Sequence, residues 1–291
     1  MDIFLATLKF SFKKAEKINF DYCSSKFFHK QIIDFDTHFH CFYNITDKID
    51  LTTKIPDFTG RSFDDTQIPY EWKIFNTGKE LLIHIVFFEN EMIKEVLSVL
   101  NFSEKRILVE LLPHSLSAPI TIDPFFHPLG SLLMVYLSHY CGGFLIHASG
   151  IVDDGNCYIF SGISGEGKST ISRLWHEQGA TVVNDDRLWI QKIENKWKMF
   201  NTPMAYYAQE PLMGTISKIF LISHSPENYV IYGKNGALRV MSNCIQHLFD
   251  ENITASHLNT IFDMSDQVPI YELGFKPTTE VVWLIRNMKF T

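Results

Sequence analysis

The chain has 291 residues, 46% of them hydrophobic and 20% charged, with 26 Lys+Arg against 33 Asp+Glu and a formal net charge of −7. At roughly 150 residues per domain this length suggests about two domains, and the apolar fraction excludes a disordered chain. The acidic balance argues against a nucleic-acid binder held by a broadly basic face.

The five cysteines (Cys23, Cys41, Cys141, Cys157, Cys244) are odd in number and form no close Cys-x-x-Cys pair. Neither a disulfide framework nor a zinc ribbon is signalled, and reduced thiols in a cytosol are expected. The opening MDIFLATLKFSFKKAEK has no basic start, and Lys9 closes its apolar run early, unlike a signal peptide. The apolar stretch 132–152 contains His139, His147 and the pair Gly142-Gly143, too many interruptions for a membrane span. A cytoplasmic protein with no membrane partner is therefore expected. The sequons at Asn44, Asn101 and Asn252 then carry no meaning.

In chain order, residues 1–122 alternate short aromatic and β-branched runs with turn formers. The runs 71–75 (EWKIF), 81–88 (LLIHIVFF) and 106–112 (RILVELL) predict strands, separated by Pro56, Gly60, Pro69 and Gly78. Met92, Val96, Val99 and Leu100 recur at helical spacing and predict a helix over 89–100. This region is expected to be a β-rich α+β domain, and no motif in it carries chemistry. His38 and His40 could share a strand face beside Cys41, but no third metal ligand is near in sequence.

The proline-studded segment 113–128 marks the boundary, which puts the second domain at 123–291. A helix is predicted over 129–140, ended by Gly142-Gly143. A strand (144–152), a turn (153–156), a strand (157–161), a glycine-rich loop, a helix (168–178) and a strand (181–184) follow. That order predicts a βαβ unit with a parallel pair.

The loop, residues 162–169, reads GISGEGKS and matches the phosphate-loop pattern Gly-x-x-x-x-Gly-Lys-Ser/Thr. Gly162, Gly165 and Gly167 are expected to permit positive φ and close approach to phosphate. Successive N–H groups at a helix N-terminus would then form an anion nest. Lys168 would reach the outer phosphates of a nucleotide, and the Ser169 hydroxyl would ligate Mg²⁺.

The adjacent pair Asp185-Asp186 lies 17 positions beyond Lys168, directly after the predicted strand. There it would sit at the carboxyl edge of the sheet, one acid holding metal and the other accepting a proton. His147 is the third candidate, in the strand before the loop hairpin, where it could orient a carboxylate.

The run 145–190 resembles the catalytic domain of the HPr kinase/phosphorylase family, which is similar to phosphoenolpyruvate carboxykinase. The order histidine, turn, strand, phosphate loop, helix, paired aspartates carries the resemblance, and Asn201-Thr202-Pro203 and 268–275 (VPIYELGF) extend it. It implies an α/β P-loop catalytic domain of that type and an ATP- and Mg²⁺-dependent kinase acting on a hydroxyl, typically serine, of a protein or peptide. His147 and Asp185 would be the catalytic pair together with Lys168, with Asp185 as general base, and Asp186 would join Ser169 on the metal; Asp185 is a further candidate ligand, and the division of roles between the two aspartates stays open. Gly162, Ile163, Ser164, Gly165, Glu166, Gly167, Lys168, Ser169 and Thr170 would bind the nucleotide.

Members of that family form oligomers, so a homo-oligomer is a candidate assembly. The family's glycine-rich C-terminal signature has no match here. Gln209-Glu210 stands where a basic group would hold transferred phosphate, with Arg187 and Arg239 as substitutes. Two other readings stay open: a non-catalytic nucleotide-binding partner in a peptide-maturation or regulatory complex, and a small-molecule kinase.

Overall fold

The computed structural model describes residues 2–22, 25–62, 68–203, 209–246 and 250–288. It is a mixed α/β chain with several sheets and few helices. The chain forms two compact units, Met1–Met134 with Pro203–Glu210, and Val135–Thr202 with Pro211–Thr291. The division falls inside a helix, later than the expected boundary at 122/123.

Among the described residues the first unit has ten strands. They are β1 (Asp2–Leu5), β2 (Leu8–Lys14), β3 (Ile18–Phe20), β4 (Thr37–Ile45), β5 (Phe58–Ser62), β6 (Tyr70–Asn76), β7 (Leu81–Phe87), β8 (Ile93–Asn101), β9 (Arg106–Pro113) and β10 (Ile120–Ile122). Eight of them make one sheet in the order β1-β2-β4-β9-β8-β7-β6-β5, and β10 pairs with β3.

The helix expected over 89–100 is a strand. Val96, Ser98 and Leu100 alternate inward at period two, whereas Met92 lies exposed just before the strand and Val99 falls on its other face, so the helical spacing joins residues that do not share one face. Hydrogen-bonding partners on both sides, β7 and β9, override the local pattern. Among the described residues of 1–122 the regular elements are all strands, apart from a short 3-10 turn (Ser25–His29). Aromatic packing fills the unit's interior, with Phe125 edge-on to Phe10 at 5.2 Å between ring centroids.

The second unit takes up α1 (Leu129–Tyr140) from its middle. Then follow β11 (Phe144–Asp153), β12 (Asn156–Ser161), α2 (Lys168–Glu177), β13 (Thr181–Asn184), β14 (Arg187–Ile193), β15 (Lys196–Asn201), β16 (Met213–Thr215), β17 (Lys218–His224) and β18 (Tyr229–Tyr232). The chain closes with α3 (Gly236–Ser242), β19 (Cys244–Ile245), α4 (Glu251–Gln267), β20 (Ile270–Phe275) and α5 (Glu280–Asn287).

The sheet runs β16-β15-β14-β11-β12-β17-β20-β18, with β13 and β19 also paired to β11. Two hairpin turns have both central residues at positive φ, Asp154-Gly155 and Glu194-Asn195, the twist that tight hairpins favour. One core layer packs α2 and α5 (Ile171, Trp175, Val282, Ile285) on Phe160 and Phe220; the other packs α3 and α4 (Val240, Ile261, Met264) on Ile146, Ile159 and Leu221. Helices therefore cover both faces, as parallel strands require.

The strand order corrects the expected βαβ pair. β12 and β13 are not neighbours, because β11 lies between them and pairs antiparallel with both. The parallel core is β12-β17-β20 instead.

β11 also serves two ladders. Its first part, Phe144 to His147, runs between β14 and β19, and its second part between β12 and β13. The flanking strand changes from β14 to β13 at this point, and the two residues joining those strands are Asp185 and Asp186.

Candidate functional site

The glycine loop leaves the carboxyl end of β12 and enters α2. Gly165 and Gly167 have φ of 89° and 95°, a region costly for side-chain-bearing residues. Gly162 does not share that conformation. Its requirement is space, since a Cβ there would lie 2.4 Å from Glu166 Oε2. Gly167 caps α2, and no side chain caps the helix among the described residues. The first-turn amides thus keep the partial positive charge that attracts anions.

Lys168, only 6% exposed, turns beneath the loop and donates from Nζ to the carbonyl oxygens of Gly162 (2.8 Å) and Ile163 (3.0 Å). Burial pulls its pKa down, against the opposing pull of Glu166 and Asp186. Glu166 accepts the Ile163 N–H at 2.7 Å, so the loop already binds one carboxylate oxygen. His224 Nε2 lies 2.8 Å from the Gly165 carbonyl oxygen.

The acid pair is placed by backbone. Asn184, fully buried, accepts the N–H groups of Asp186 (2.8 Å) and Arg187 (3.1 Å) on Oδ1. Asp186 in turn accepts the Ala148 N–H on its carbonyl oxygen at 3.1 Å. The turn is therefore fixed to β11 beside His147.

The two side chains then part. The Ser169 hydroxyl lies near enough to the Asp185 carboxylate to lower its pKa. Asp186 Oδ1 lies 3.4 Å from His147 Nε2, and its Oδ2 lies 3.5 Å from Arg187 Nε. The resemblance pairs His147 with Asp185; here the acid beside His147 is Asp186. Consecutive residues in extended chain point to opposite sides, and the break between β13 and β14 decides which acid turns toward β11.

Burial raises the pKa of Asp185, the Asp186 charge raises it further, and the Ser169 hydroxyl opposes both. His147 is pulled down, first by burial and then by Lys168; Asp186 acts against them and Arg187 with them.

Thr202 donates its hydroxyl to the Arg187 carbonyl at 3.1 Å, and Asn201 Oδ1 accepts the Leu212 N–H at 2.7 Å. The first bond ties Thr202 to the residue that follows the acid pair, and the second ties Asn201 to the approach to β16. Arg187 reaches the site, whereas Arg239 is paired with Glu272 at 2.9 Å. Gln209 and Glu210 belong to the first unit. Far from the loop in sequence, His38 Nε2 contacts the Ser11 hydroxyl at 2.8 Å and its ring lies 4.4 Å from that of His40, with Cys41 buried. Sequence reasoning missed Asn184 and His224. The only signal for either was its position at the carboxyl end of a strand in the same sheet.

No known family and no curated protein matches the sequence. Among solved structures, the Hpr(Ser) kinase/phosphatase from Coxiella burnetii is similar over 49% of this chain and 94% of its own, at 13% identity and a TM-score of 0.30. No helix among the described residues is long and apolar enough to cross a membrane.

Proposed function

We propose that the chain is a kinase: Gly162, Ile163, Ser164, Gly165, Glu166, Gly167, Lys168, Ser169 and Thr170 enclose the phosphates of Mg·ATP, and the γ-phosphoryl group passes to a hydroxyl of a protein or peptide, with serine the favoured acceptor. One observation carries this reading. A glycine loop opens a helix that no side chain caps among the described residues, its Ser169 lies near Asp185, and Asp186 sits 3.4 Å from His147.

Ser169 and Asp185 suit Mg²⁺, being neighbouring hard oxygen donors. A half-buried carboxylate whose charge is disfavoured by burial and by a neighbouring acid is also one that a cation would relieve. When bound, the metal would neutralise charge on the outer phosphates. Lys168 would turn from the loop carbonyls to the transferring group.

Asp186, flanked by His147 and Arg187, is placed to take the acceptor proton as the acceptor oxygen forms its bond to phosphorus. The bond from phosphorus to the bridging oxygen breaks, and ADP leaves with that electron pair. His147, held neutral by burial, would orient Asp186 rather than compete for the proton.

The assay is phosphoryl transfer from γ-labelled ATP to candidate peptides, proteins and free serine, with Mg²⁺. Lys168→Ala should lose transfer by at least about a hundredfold. Asp186→Asn should lose transfer by a similar factor while still taking up Mg·ATP. Asp185→Asn should require more Mg²⁺ for half-maximal rate. Uptake of ATP with no transfer to any acceptor would point instead to a non-catalytic nucleotide-binding protein. Transfer to free serine alone would point to a small-molecule kinase.

A further inference from the structure

His224 is the last residue of β17, directly opposite Phe275 at the end of β20. Its backbone position is closed off by the next residue, since the Ser225 N–H donates to the Phe275 carbonyl at 3.0 Å. The imidazole stacks on the buried Phe275 ring, with centroids 6.0 Å apart and planes 28° from parallel. Its Nε2 meets the Gly165 carbonyl oxygen at 2.8 Å. The other end of the same loop rests on the same two rings: a Cβ on Gly167 would come within 2.8 Å of Phe275 Cζ and 3.3 Å of His224 Cε1.

A carbonyl has no proton to give, so His224 must carry hydrogen on Nε2 to make this contact. The donation fixes the direction of the Gly165 carbonyl and, through the planar peptide, that of the Glu166 N–H. Glu166 N–H at present bonds to the Ile163 carbonyl at 3.3 Å, which closes the loop into its turn. Glycine at 165 and 167 gives this backbone wide freedom, and an outside brace is what limits it.

We infer that His224 is a positioning residue for the phosphate loop, acting through the Gly165 carbonyl to hold the loop amides in the shape that receives a triphosphate. This rests on the proposed reading of the loop as a phosphate site. Because the imidazole is exposed, replacing it removes the brace without opening the core.

The test compares His224→Phe, which keeps a ring on Phe275 without a donor, with His224→Gln, whose amide Nε2–H₂ can reach the same carbonyl. The Mg·ATP dissociation constant is read by calorimetry, together with the thermal midpoint of each protein without nucleotide. His224→Phe should bind Mg·ATP about fivefold more weakly, the loss of one hydrogen bond, and His224→Gln should recover most of that. The nucleotide-free midpoints should stay together. His224→Leu supplies the donor-less case should the phenylalanine variant fail to fold. Equal binding by wild type and the donor-less variant overturns the inference, as does equal weakening by the donor-less and glutamine variants. If the wild-type chain takes up no Mg·ATP, the phosphate-site reading falls, and the brace falls with it.

Discussion

Asp185 and Asp186 are adjacent, yet burial and neighbours give them different chemistry. The Asp185 carboxyl has a folded-state pKa above its unfolded one. Its stabilising contribution is therefore present at low pH and is lost as pH rises through the folded value. In neutral, metal-free solution its charge is a liability. Asp185→Asn should make the metal-free protein slightly more stable at neutral pH, an effect kept small because the side chain is half-exposed and solvent-screened. Urea denaturation with chelator present checks this.

His257 is the opposite case. It is 3% exposed, both ring nitrogens lack a hydrogen-bond partner among the described residues, and burial takes its pKa down to about 4. Its neutral form is compatible with folding above pH 6.5. As pH falls from 6.5 toward 4 the unfolded chain takes a proton that the folded chain refuses, at a cost of roughly 2–3 kcal/mol. His257→Met should flatten the loss of stability across that window, measured by denaturation at several pH values. A decline of the same steepness in the variant would remove His257 as its cause.

At the scale of elements, the loop, its helix and the acid-bearing turn were legible, because glycine, lysine and carboxylate chemistry leaves marks at fixed spacing. The partners of each acid were not, since they depend on which side of a broken strand a residue faces. The spacing in β8 imitates a helix because Met92, before the strand, and Val99, on its other face, fall by chance on one helical period with Val96 and Leu100. No local signal could place β11 between β12 and β13, a pairing made across separate segments of chain.

Two glycines test the reading of the loop. Gly167 and Gly179 both have positive φ, 95° and 86°, but only Gly167 is crowded by Phe275. Gly179→Ala should cost about 1 kcal/mol, the conformational penalty alone. Gly167→Ala should cost about 2–3 kcal/mol and also weaken Mg·ATP uptake, because the Phe275 contact adds to that penalty. Chemical denaturation of both variants compares the two.

Across the whole molecule, a ligand that binds only the folded chain adds stability by mass action. Mg·ATP at a hundred times its dissociation constant should add about 2.7 kcal/mol. Trp175, Trp189, Trp197 and Trp283 lie in the unit that carries the loop, against Trp72 in the other, so indole fluorescence during unfolding reports mainly on the nucleotide-bearing unit. A denaturation midpoint that does not move with Mg·ATP would contradict nucleotide binding.

The double service of β11 bears on which lengths of this chain are free to vary. Adding one residue to the turns at 154–155 or 194–195 lengthens a solvent-facing tip and leaves every cross-strand partner in place. Adding one between 144 and 153 would invert the facing of all that follows and misalign the strand with β12, β13, β14 and β19 together. Across descendants of this gene, the hairpin tips are where length differences should accumulate, and the segment from Phe144 to Asp153 should keep its count of residues.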